Sequence, residues 1–367
     1  MAGPVDRPGI HRTDEDARRA LRNDHGTQRL EGAMSERMSD ATSTSRSCGP
    51  TLRTVAFMPV LLASLAAAQT PGHYTGLAEA SAAAALDAEH MVVAEDECNT
   101  LLVYKFGQPS PVGKPIELDL GTGGKASDLE GAARVGDLIY WISSHSQTKS
   151  GKANEWRHRF FATRVDRSTS PPTVTPFGKP HAGLMKAAAD DKNLAGLNLA
   201  DAAAKLPEEP GGLNIEGLAA WGNDGLLIGF RSPLRSGDKA VLVPLENPSA
   251  VLAGEAPRFA PPLLLDLDKR GIRSIDRVGD HYVIVAGPTA NVGSFDLYRW
   301  SGNANDKPVL LPGSLPAGHA FEALVAIPGT RDRKLVLLSD DGVDDGIKCG
   351  KSGKAAQKFR SMHLELK

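Results

Sequence analysis

Residues 211–234 read GGLNIEGLAAWGNDGLLIGFRSPL, and this order of residue types decides the fold. Glu216 introduces a strand of small and apolar residues, a polar turn follows at Asn223 and Asp224, and a second apolar strand runs over 226–230. Short apolar runs separated by Gly, Asn and Asp are typical of antiparallel strands joined by tight turns. The stretch therefore predicts a β-hairpin whose first strand begins at an acidic motif.

The same pattern occurs five times along the chain. Its acidic motif begins the copies Glu79-Ala80-Ser81, Leu129-Glu130-Gly131, Ile215-Glu216-Gly217, Ile275-Asp276-Arg277 and Phe321-Glu322-Ala323. Each copy continues with a polar turn, a second apolar strand and a third, alternating strand, and most copies add a fourth apolar run. Four short strands that recur in this way are the pattern of β-propeller blades. We therefore predict an all-β protein, a β-propeller of about five four-stranded blades, with six blades as the alternative.

The repeat departs from regularity in two places. Between the second and third copies lie the extra residues 167–212, which are Pro-rich and then helical in pattern, so a helical insertion is expected after the second blade. Asn198 is the predicted N-cap of a helix over 199–206. The last copy ends after its third strand, and the segment 73–77 is placed to supply the missing one. Such closure would leave no exposed sheet edge.

The N-terminal part of the chain predicts export. Residues 1–45 are polar and charged, so we expect a disordered tail, and translation from Met34 or Met38 would omit most of it. Residues 46–68 combine a positive flank, a short apolar core and an Ala-Ala-Ala ending, which are the parts of a signal peptide cleaved after Ala68. The propeller would then span residues 69–367 in the periplasm or outside the cell, with no membrane span after signal removal.

The charge balance and the cysteines narrow the classes of function. The chain has 42 basic and 44 acidic residues without a basic stripe, which argues against a nucleic-acid partner. Cys48 lies in the signal region and leaves Cys98 and Cys349 as a pair in an oxidising compartment. Both follow second strands, in the first and last blades, which adjoin in a closed ring. We therefore predict a disulfide between Cys98 and Cys349.

Propeller topology places the start of each innermost strand and the loop after each second strand on one face, which we call the top face. The carboxylates expected there are Glu79, Glu130, Glu216, Asp276, Glu322, Asp340 and Asp341. Calcium takes six to eight oxygen ligands, so these side chains are candidate metal ligands. The alternative is structural: each carboxylate accepts backbone N–H bonds from a neighbouring blade and repeats because the blade repeats.

Three residues of the top face are not repeated between blades. His145 and Arg231 occupy equivalent loops in the second and third blades, and Asn214 precedes the acidic motif of the third. Arginine suits carboxylate or phosphate recognition, and histidine can act as acid, base or ligand near neutral pH. We predict that these three residues bind a ligand. The alternative is that His145 and Arg231 form salt bridges with the acidic residues.

Some of the motifs are similar to known families. Residues 127–146, 211–234 and 271–288 resemble the bacterial domain-of-unknown-function family 3616, with a resemblance covering roughly residues 75–367. It implies a propeller-like fold and no particular catalytic residues. More remotely, the acidic repeat is similar to the phytase-like esterase propellers, which implies calcium and phosphate chemistry.

Two functions of different classes remain open. The first is an exported propeller that binds a small polar or anionic ligand at its top face, with or without calcium. The second is a calcium-dependent phosphoesterase in which Arg231 holds the phosphoryl oxygens. The sequence contains no G-x-S-x-G, H-E-x-x-H or dinucleotide motif, so it predicts no nucleotide cofactor, assigns no catalytic residue and leaves open whether the chain is an enzyme.

Overall fold

A computed structural model describes residues 68–95, 98–148, 150–151, 154–342 and 357–366 of the chain. These residues form five antiparallel sheets of four strands each, which confirms the all-β fold and the five blades. No helix in the described ranges is long and apolar enough to cross a membrane.

The strands of the first three blades follow chain order. Blade 1 comprises β2 (Ala80–Ala85), β3 (His90–Glu95), β4 (Thr100–Lys105) and β5 (Pro111–Glu117). Blade 2 comprises β6 (Leu129–Val135), β7 (Leu138–Ser143), β8 (Phe160–Asp166) and β9 (Thr173–His181). Blade 3 comprises β10 (Asn214–Trp221), β11 (Gly225–Ser232), β12 (Ala240–Leu245) and β13 (Leu263–Leu265).

The last blade takes one strand from the N-terminal side of the propeller. Blade 4 comprises β14 (Gly271–Val278), β15 (His281–Gly287), β16 (Asp296–Trp300) and β17 (Val309–Leu310). Blade 5 comprises β18 (Phe321–Ala326), β19 (Lys334–Ser339), β20 (Lys358–Glu365) and β1 (Ala68–Thr75). The predicted closing strand is thus confirmed, although it begins earlier than residue 73.

The ring closes between blades 5 and 1. The innermost strands contact one another in the order β2, β6, β10, β14 and β18, and β18 returns to β2. Tyr74 of β1 stacks on Phe359 of β20 at a ring-centroid distance of 5.3 Å and meets Tyr104 of β4 edge-on at 5.2 Å. Tyr104 Oη also donates a hydrogen bond to the Thr75 carbonyl at 2.9 Å. Aromatic packing therefore joins the closing strand to the first blade.

The apolar core is divided among the joints between blades. Five buried clusters occur within the described residues, and each draws side chains from two neighbouring blades. The second strands carry a central apolar run, which in β11 covers residues 226–230, because they lie inside a sheet and between blades on both faces. The innermost strands use small residues because they approach each other closely: a Cβ on Gly217 would lie 2.8 Å from Ile272 Cγ2. The blades therefore stabilise one another rather than folding around one central core.

A repeated arginine links blades at the other end of the channel. Arg134 Nη1 donates to the carbonyls of Ala85 and Leu86 of blade 1 at 2.9 and 2.7 Å. Arg277, in the same Arg-Val-Gly-Asp motif of blade 4, donates to the Gly222 carbonyl of blade 3 at 2.7 Å. These contacts make the end opposite the top face a structural joint.

The predicted insertion contains both a blade strand and helices. Part of residues 167–212 is β9, and the rest holds α1 (Leu184–Asp190), a 3₁₀ turn (Ala195–Leu197) and α2 (Leu199–Ala203). A further helix, α3 (Pro248–Leu252), follows β12, and a 3₁₀ turn, Glu155–Arg157, precedes β8. Asn198 is the N-cap residue of α2, as predicted, but its backbone is left-handed (φ 45°) because it also ends the 3₁₀ turn, and its side chain makes no capping bond. The helix ends at Ala203 rather than at residue 206.

Several sequence predictions fall wholly or partly outside the described residues. The tail and all of the signal peptide except Ala68 lie there, and so does Cys349, so cleavage after Ala68 and the Cys98–Cys349 disulfide stay predictions. The surroundings of Cys98 fit the disulfide, because blades 1 and 5 adjoin on the top face. There Glu79 and Asp340 form an isolated β-bridge, and Asp341 N–H donates to the Ala78 carbonyl at 3.2 Å.

Candidate functional site

A β-bulge near the start of each innermost strand presents one side chain per blade. In blade 3 the pairing with β11 passes from Ile215 directly to Gly217, so Glu216 is left out of the ladder. The corresponding residues of the five blades are Ser81, Glu130, Glu216, Arg273 and Glu322. A bulge re-aims its side chain out of the normal alternation. Four of these five side chains consequently line one cavity on the top face.

In two blades the bulged residue is not the acidic residue of the repeated motif. In blade 1 the bulged residue is Ser81, although Glu79 also lines the cavity. In blade 4 it is Arg273, and Asp276 lies at the other end of the channel. There its carboxylate accepts the backbone N–H groups of Ala326 and Arg277 at 2.9 and 2.8 Å, and burial raises its pKa to about 6. The repeats were matched by their acidic residues, whereas the bulge position of blade 4 holds an arginine, which has the opposite charge.

The top-face cavity has a volume of about 310 Å³. Its carboxylates are Glu79, Asp128, Glu130, Glu208, Glu216, Glu322 and Asp340. Its guanidinium groups are those of Arg157, Arg231 and Arg273. The structure brings together here seven of the predicted site residues: Glu79, Glu130, Asn214, Glu216, Arg231, Glu322 and Asp340. The structure adds the arginine–carboxylate contacts described next, of which the sequence suggested only a salt bridge of Arg231.

Arg273 lies at the centre of the charged network. Its guanidinium is only 4% exposed, pairs with Glu216 Oε2 through Nε at 2.6 Å and pairs with Glu322 Oε1 through Nη2. Burial lowers the pKa of Arg273, but the charges of Glu216, Glu322 and Glu130 more than offset this effect and hold the pKa above its usual value. Arg273 therefore connects the innermost strands of blades 3, 4 and 5.

Arg231 uses all three of its guanidinium nitrogens within the protein. Nη1 pairs with Glu216 Oε1 at 2.9 Å, Nε donates to the Thr289 carbonyl at 3.2 Å, and Nη2 donates to Asn291 Oδ1 at 3.0 Å. Asn291 Nδ2 in turn donates to Glu208 Oε1 of the insertion at 2.9 Å. The salt bridge expected in the structural interpretation of Arg231 is therefore present, and Arg231 also connects the cavity wall to its rim.

A second ion pair lies on the blade 2 side of the cavity. Arg157 Nη2 contacts Asp128 Oδ1 at 2.9 Å, and Arg157 Nη1 donates to Ser146 Oγ at 3.1 Å. Arg157 belongs to the polar run 157–159 just before β8, and from the sequence alone this position favours a solvated side chain. The pairing could not be inferred because it depends on the loop between β7 and β8, which folds back over the start of β6.

Three further acidic predictions have different surroundings. Burial raises the pKa of Glu322 well above its usual value, Arg273 opposes this rise, and Asp340 adds to it. Burial also raises the pKa of Asp340. Asp341 does not line the cavity: although burial opposes the change, its bonds to Arg360, at 3.0 Å to Nε, and to Ser339 lower its pKa. The two adjacent aspartates thus have separate roles.

His145 is buried beside the cavity wall rather than within the cavity. It has a left-handed backbone (φ 53°), is 2% exposed, and stacks on His158 at a centroid distance of 5.3 Å. Neither ring nitrogen has a hydrogen-bond partner among the described residues. Burial, followed by the nearby His158, His181 and Arg159, holds the pKa of His145 well below its usual value. His145 is therefore neutral in the folded protein near neutral pH.

Because His145 is buried in its neutral form, we expect the protein to lose stability in mild acid. The unfolded chain takes up a proton on His145 near pH 6.5 and the folded chain does not, so stability falls as the pH drops below that value, by up to about 1.4 kcal/mol per pH unit. His145→Asn keeps a residue that tolerates the left-handed backbone and removes the proton site. We expect urea unfolding to show that the free energy of unfolding declines less steeply between pH 7.5 and 5 for this variant than for the parent protein. Equal slopes would contradict the prediction, and His73→Asn, at an exposed position of β1, serves as the control.

Comparison with known proteins relates part of the chain to a family. Residues 163–333 match the sequence model of a family described as Protein of unknown function (DUF3616). This match supports the predicted family over those residues, and the similarity to phytase-like propellers stays a prediction. No curated protein matches the chain.

Solved structures with similar shapes are distant in sequence. The glutaminyl cyclase of Myxococcus xanthus is 13% identical, with a TM-score of 0.43 over 82% of this chain and 98% of its own. The PQQ-bound aldose sugar dehydrogenase of Streptomyces coelicolor is 16% identical, with a TM-score of 0.41 over 81% and 98%. The Malassezia sympodialis allergen Mala s 1 is 10% identical, with a TM-score of 0.47 over 81% and 96%. None of these similarities bears on the function of this chain.

Proposed function

We propose that this chain is an exported β-propeller that binds a small polar ligand in the top-face cavity. The observation that carries the proposal is the convergence of seven carboxylates and three guanidinium groups on one cavity. Burying charges is costly even when they are paired, and apolar residues of similar size commonly stabilise a protein as well or better. Glu130, Glu216, Arg273 and Glu322 are nevertheless all buried. A binding role accounts for this cost, as polar groups converging in a concave site are typical of ligand pockets.

The contacts of the arginines favour a polar ligand over an anionic one. Arg157 pairs with Asp128, and Arg231 and Arg273 both pair with Glu216. An anion would have to displace a carboxylate that already occupies each guanidinium. The anionic alternative therefore requires these pairs to break on binding.

The predicted calcium site and phosphoesterase activity stay untested proposals. Within the described ranges, no three His, Cys, Asp or Glu side chains are placed to share a metal ion. Bound calcium would act through carboxylates such as Glu130 and Glu216. Hydrolysis of p-nitrophenyl phosphate by the purified chain, with and without calcium chloride, tests the enzymatic alternative.

Thermal melting of the full chain with a panel of small molecules tests the binding function. The panel contains polyols, amino acids, carboxylates, phosphates, amines and calcium chloride. A ligand at one hundred times its Kd stabilises the folded state by about 2.7 kcal/mol, so at least one class should raise the Tm. The rise should shrink in Glu130→Gln and persist in Asp332→Asn, which changes the cavity at the other end of the channel. A panel without effect, or equal effects in both variants, would refute the proposed site.

A further inference from the structure

We infer that the top-face cavity selects a small organic cation whose nitrogen carries N–H donors, an ammonium or a guanidinium group, and that Asn214 accepts one of those hydrogen bonds. This inference rests on the proposed binding function and names the chemical class of the ligand. It depends on two independent observations, the charge of the cavity and an acceptor atom that lacks a donor.

The first observation is the sign of the charge. Seven carboxylates line the cavity against three guanidinium groups, and two of the three converge on the single carboxylate of Glu216. A concave site lined mainly by one sign of charge focuses the field and concentrates ions of the opposite sign. Burial is the main cause of the raised pKa values of Glu322 and Asp340, and neighbouring carboxylates add to it.

The second observation is the side chain of Asn214, which lines the cavity and is 6% exposed. Its Nδ2 donates to Glu216 Oε1 at 3.1 Å, which fixes the orientation of the amide because a carboxylate accepts only from the nitrogen. The Oδ1 atom is buried and accepts no hydrogen bond from any described residue. Buried acceptors in folded proteins are nearly always paired. The amide therefore carries an enclosed, unsatisfied acceptor in the cavity wall, and a donor group of the ligand would satisfy it when the amide turns toward the ligand on binding.

Together the two observations discriminate between classes of ligand. An anion would meet the negative field and offers no donor to Asn214. A neutral alcohol could satisfy Asn214 but would not offset the charge. Calcium would offset the charge, but it needs six to eight oxygens and cannot donate a hydrogen bond. An ammonium or guanidinium group meets both requirements.

The rim suggests how a cation would enter. The helical insertion supplies Pro207 and the exposed Glu208, and Asn291 of the loop after β15 holds Glu208 in place at 2.9 Å. A negative side chain at the entrance would attract a cation on approach. The insertion thus adds an acidic residue to a cavity that is otherwise built from the blades.

Isothermal titration of the full chain with simple probes tests the inference. The probes are n-butylammonium, n-butylguanidinium, tetramethylammonium, 1-butanol, butyrate and calcium chloride. We expect the two N–H cations to bind more tightly than tetramethylammonium, which has the charge but no donor, and butyrate not to bind. Asn214→Leu should weaken n-butylammonium by about tenfold or more, as loss of a hydrogen bond to a charged group does. The Kd for tetramethylammonium should change by less than about twofold in this variant, which also shows that the cavity remains folded.

Two further variants separate charge from structure. Glu208 is exposed, and a glutamine at this position can keep the bond to Asn291, so Glu208→Gln should fold normally. It should weaken the binding of both n-butylammonium and tetramethylammonium by a few-fold. Asn223→Leu is the same substitution in the cavity at the other end of the channel, and it should not change the binding of either cation. Binding of butyrate, 1-butanol or calcium in this cavity without binding of n-butylammonium would overturn the inference and leave the proposed function intact. No binding by any of these probes would overturn the inference, and if the thermal-melting panel is also without effect, the proposed function is refuted as well.

Discussion

Replacing Arg273 with methionine is expected to lower the free energy of unfolding by about 3–5 kcal/mol, because removing one partner of a buried ion pair leaves uncompensated charge. Arg273 is 4% exposed and lies between Glu216 and Glu322. Methionine retains much of the apolar stem, so the loss reports the charge rather than a large cavity. Urea unfolding at pH 7.5 measures it. Arg299→Met, an exposed arginine on β16, is the matched control and should change stability by less than about 0.5 kcal/mol.

The pH dependence of this loss provides a second check. Arg273 lowers the pKa of Glu322, which burial raises, so without Arg273 the pKa of Glu322 rises further. A protonated carboxyl carries no uncompensated charge, and the destabilisation by Arg273→Met should therefore shrink as the pH falls from 7.5 to 5. Adding Glu322→Gln to Arg273→Met should recover part of the stability at pH 7.5. A loss that is equal at every pH, or one matched by Arg299→Met, would contradict the ion-pair explanation.

Replacing Gly271 with alanine is expected to cost about 3 kcal/mol or more, because the new methyl group would overlap backbone atoms. An ideal Cβ at Gly271 overlaps the carbonyl oxygen of Arg231 and lies 2.6 Å from its carbonyl carbon. Neither atom belongs to a flexible side chain, so β14 and β11 would have to separate. With an unfolding entropy of roughly 2.1 cal/mol/K per residue, a loss of about 3 kcal/mol should lower the Tm of this propeller by roughly 5 °C.

Gly196→Ala is the matched control for Gly271→Ala. A Cβ at Gly196 meets nothing within 4 Å, and its backbone is not left-handed, so alanine should be neutral or slightly stabilising. Because Arg231 pairs with Glu216, the strand displacement in Gly271→Ala should also weaken binding in the top-face cavity. A Gly271→Ala protein that melts like the parent would show that blades 3 and 4 do not approach as closely as the structure indicates.

The blades and their order could be predicted from the sequence because the signals are local. Each second strand contains a continuous apolar run, each turn contains Gly, Asn or Asp, and the unit recurs five times. The pattern therefore identifies the strands without knowledge of their neighbours. The missing fourth strand of the last copy also predicted closure by an N-terminal segment, which β1 provides. The residues of the cavity were predicted wherever the acidic motif coincides with the bulge, as in Glu130, Glu216 and Glu322.

Only the tertiary structure decided which charges meet. A bulge depends on how two strands pair, and pairing shifts of one residue are invisible in a single strand, so Arg273 was missed and Asp276 was placed on the wrong end of the channel. The burial of His145 next to His158 and the pairing of Arg157 with Asp128 depend on loops that fold across blade boundaries. Sequence periodicity determines the strands because each blade is made of adjacent residues. The chemistry of the cavity is determined by contacts between residues of different blades, which only ring closure brings together.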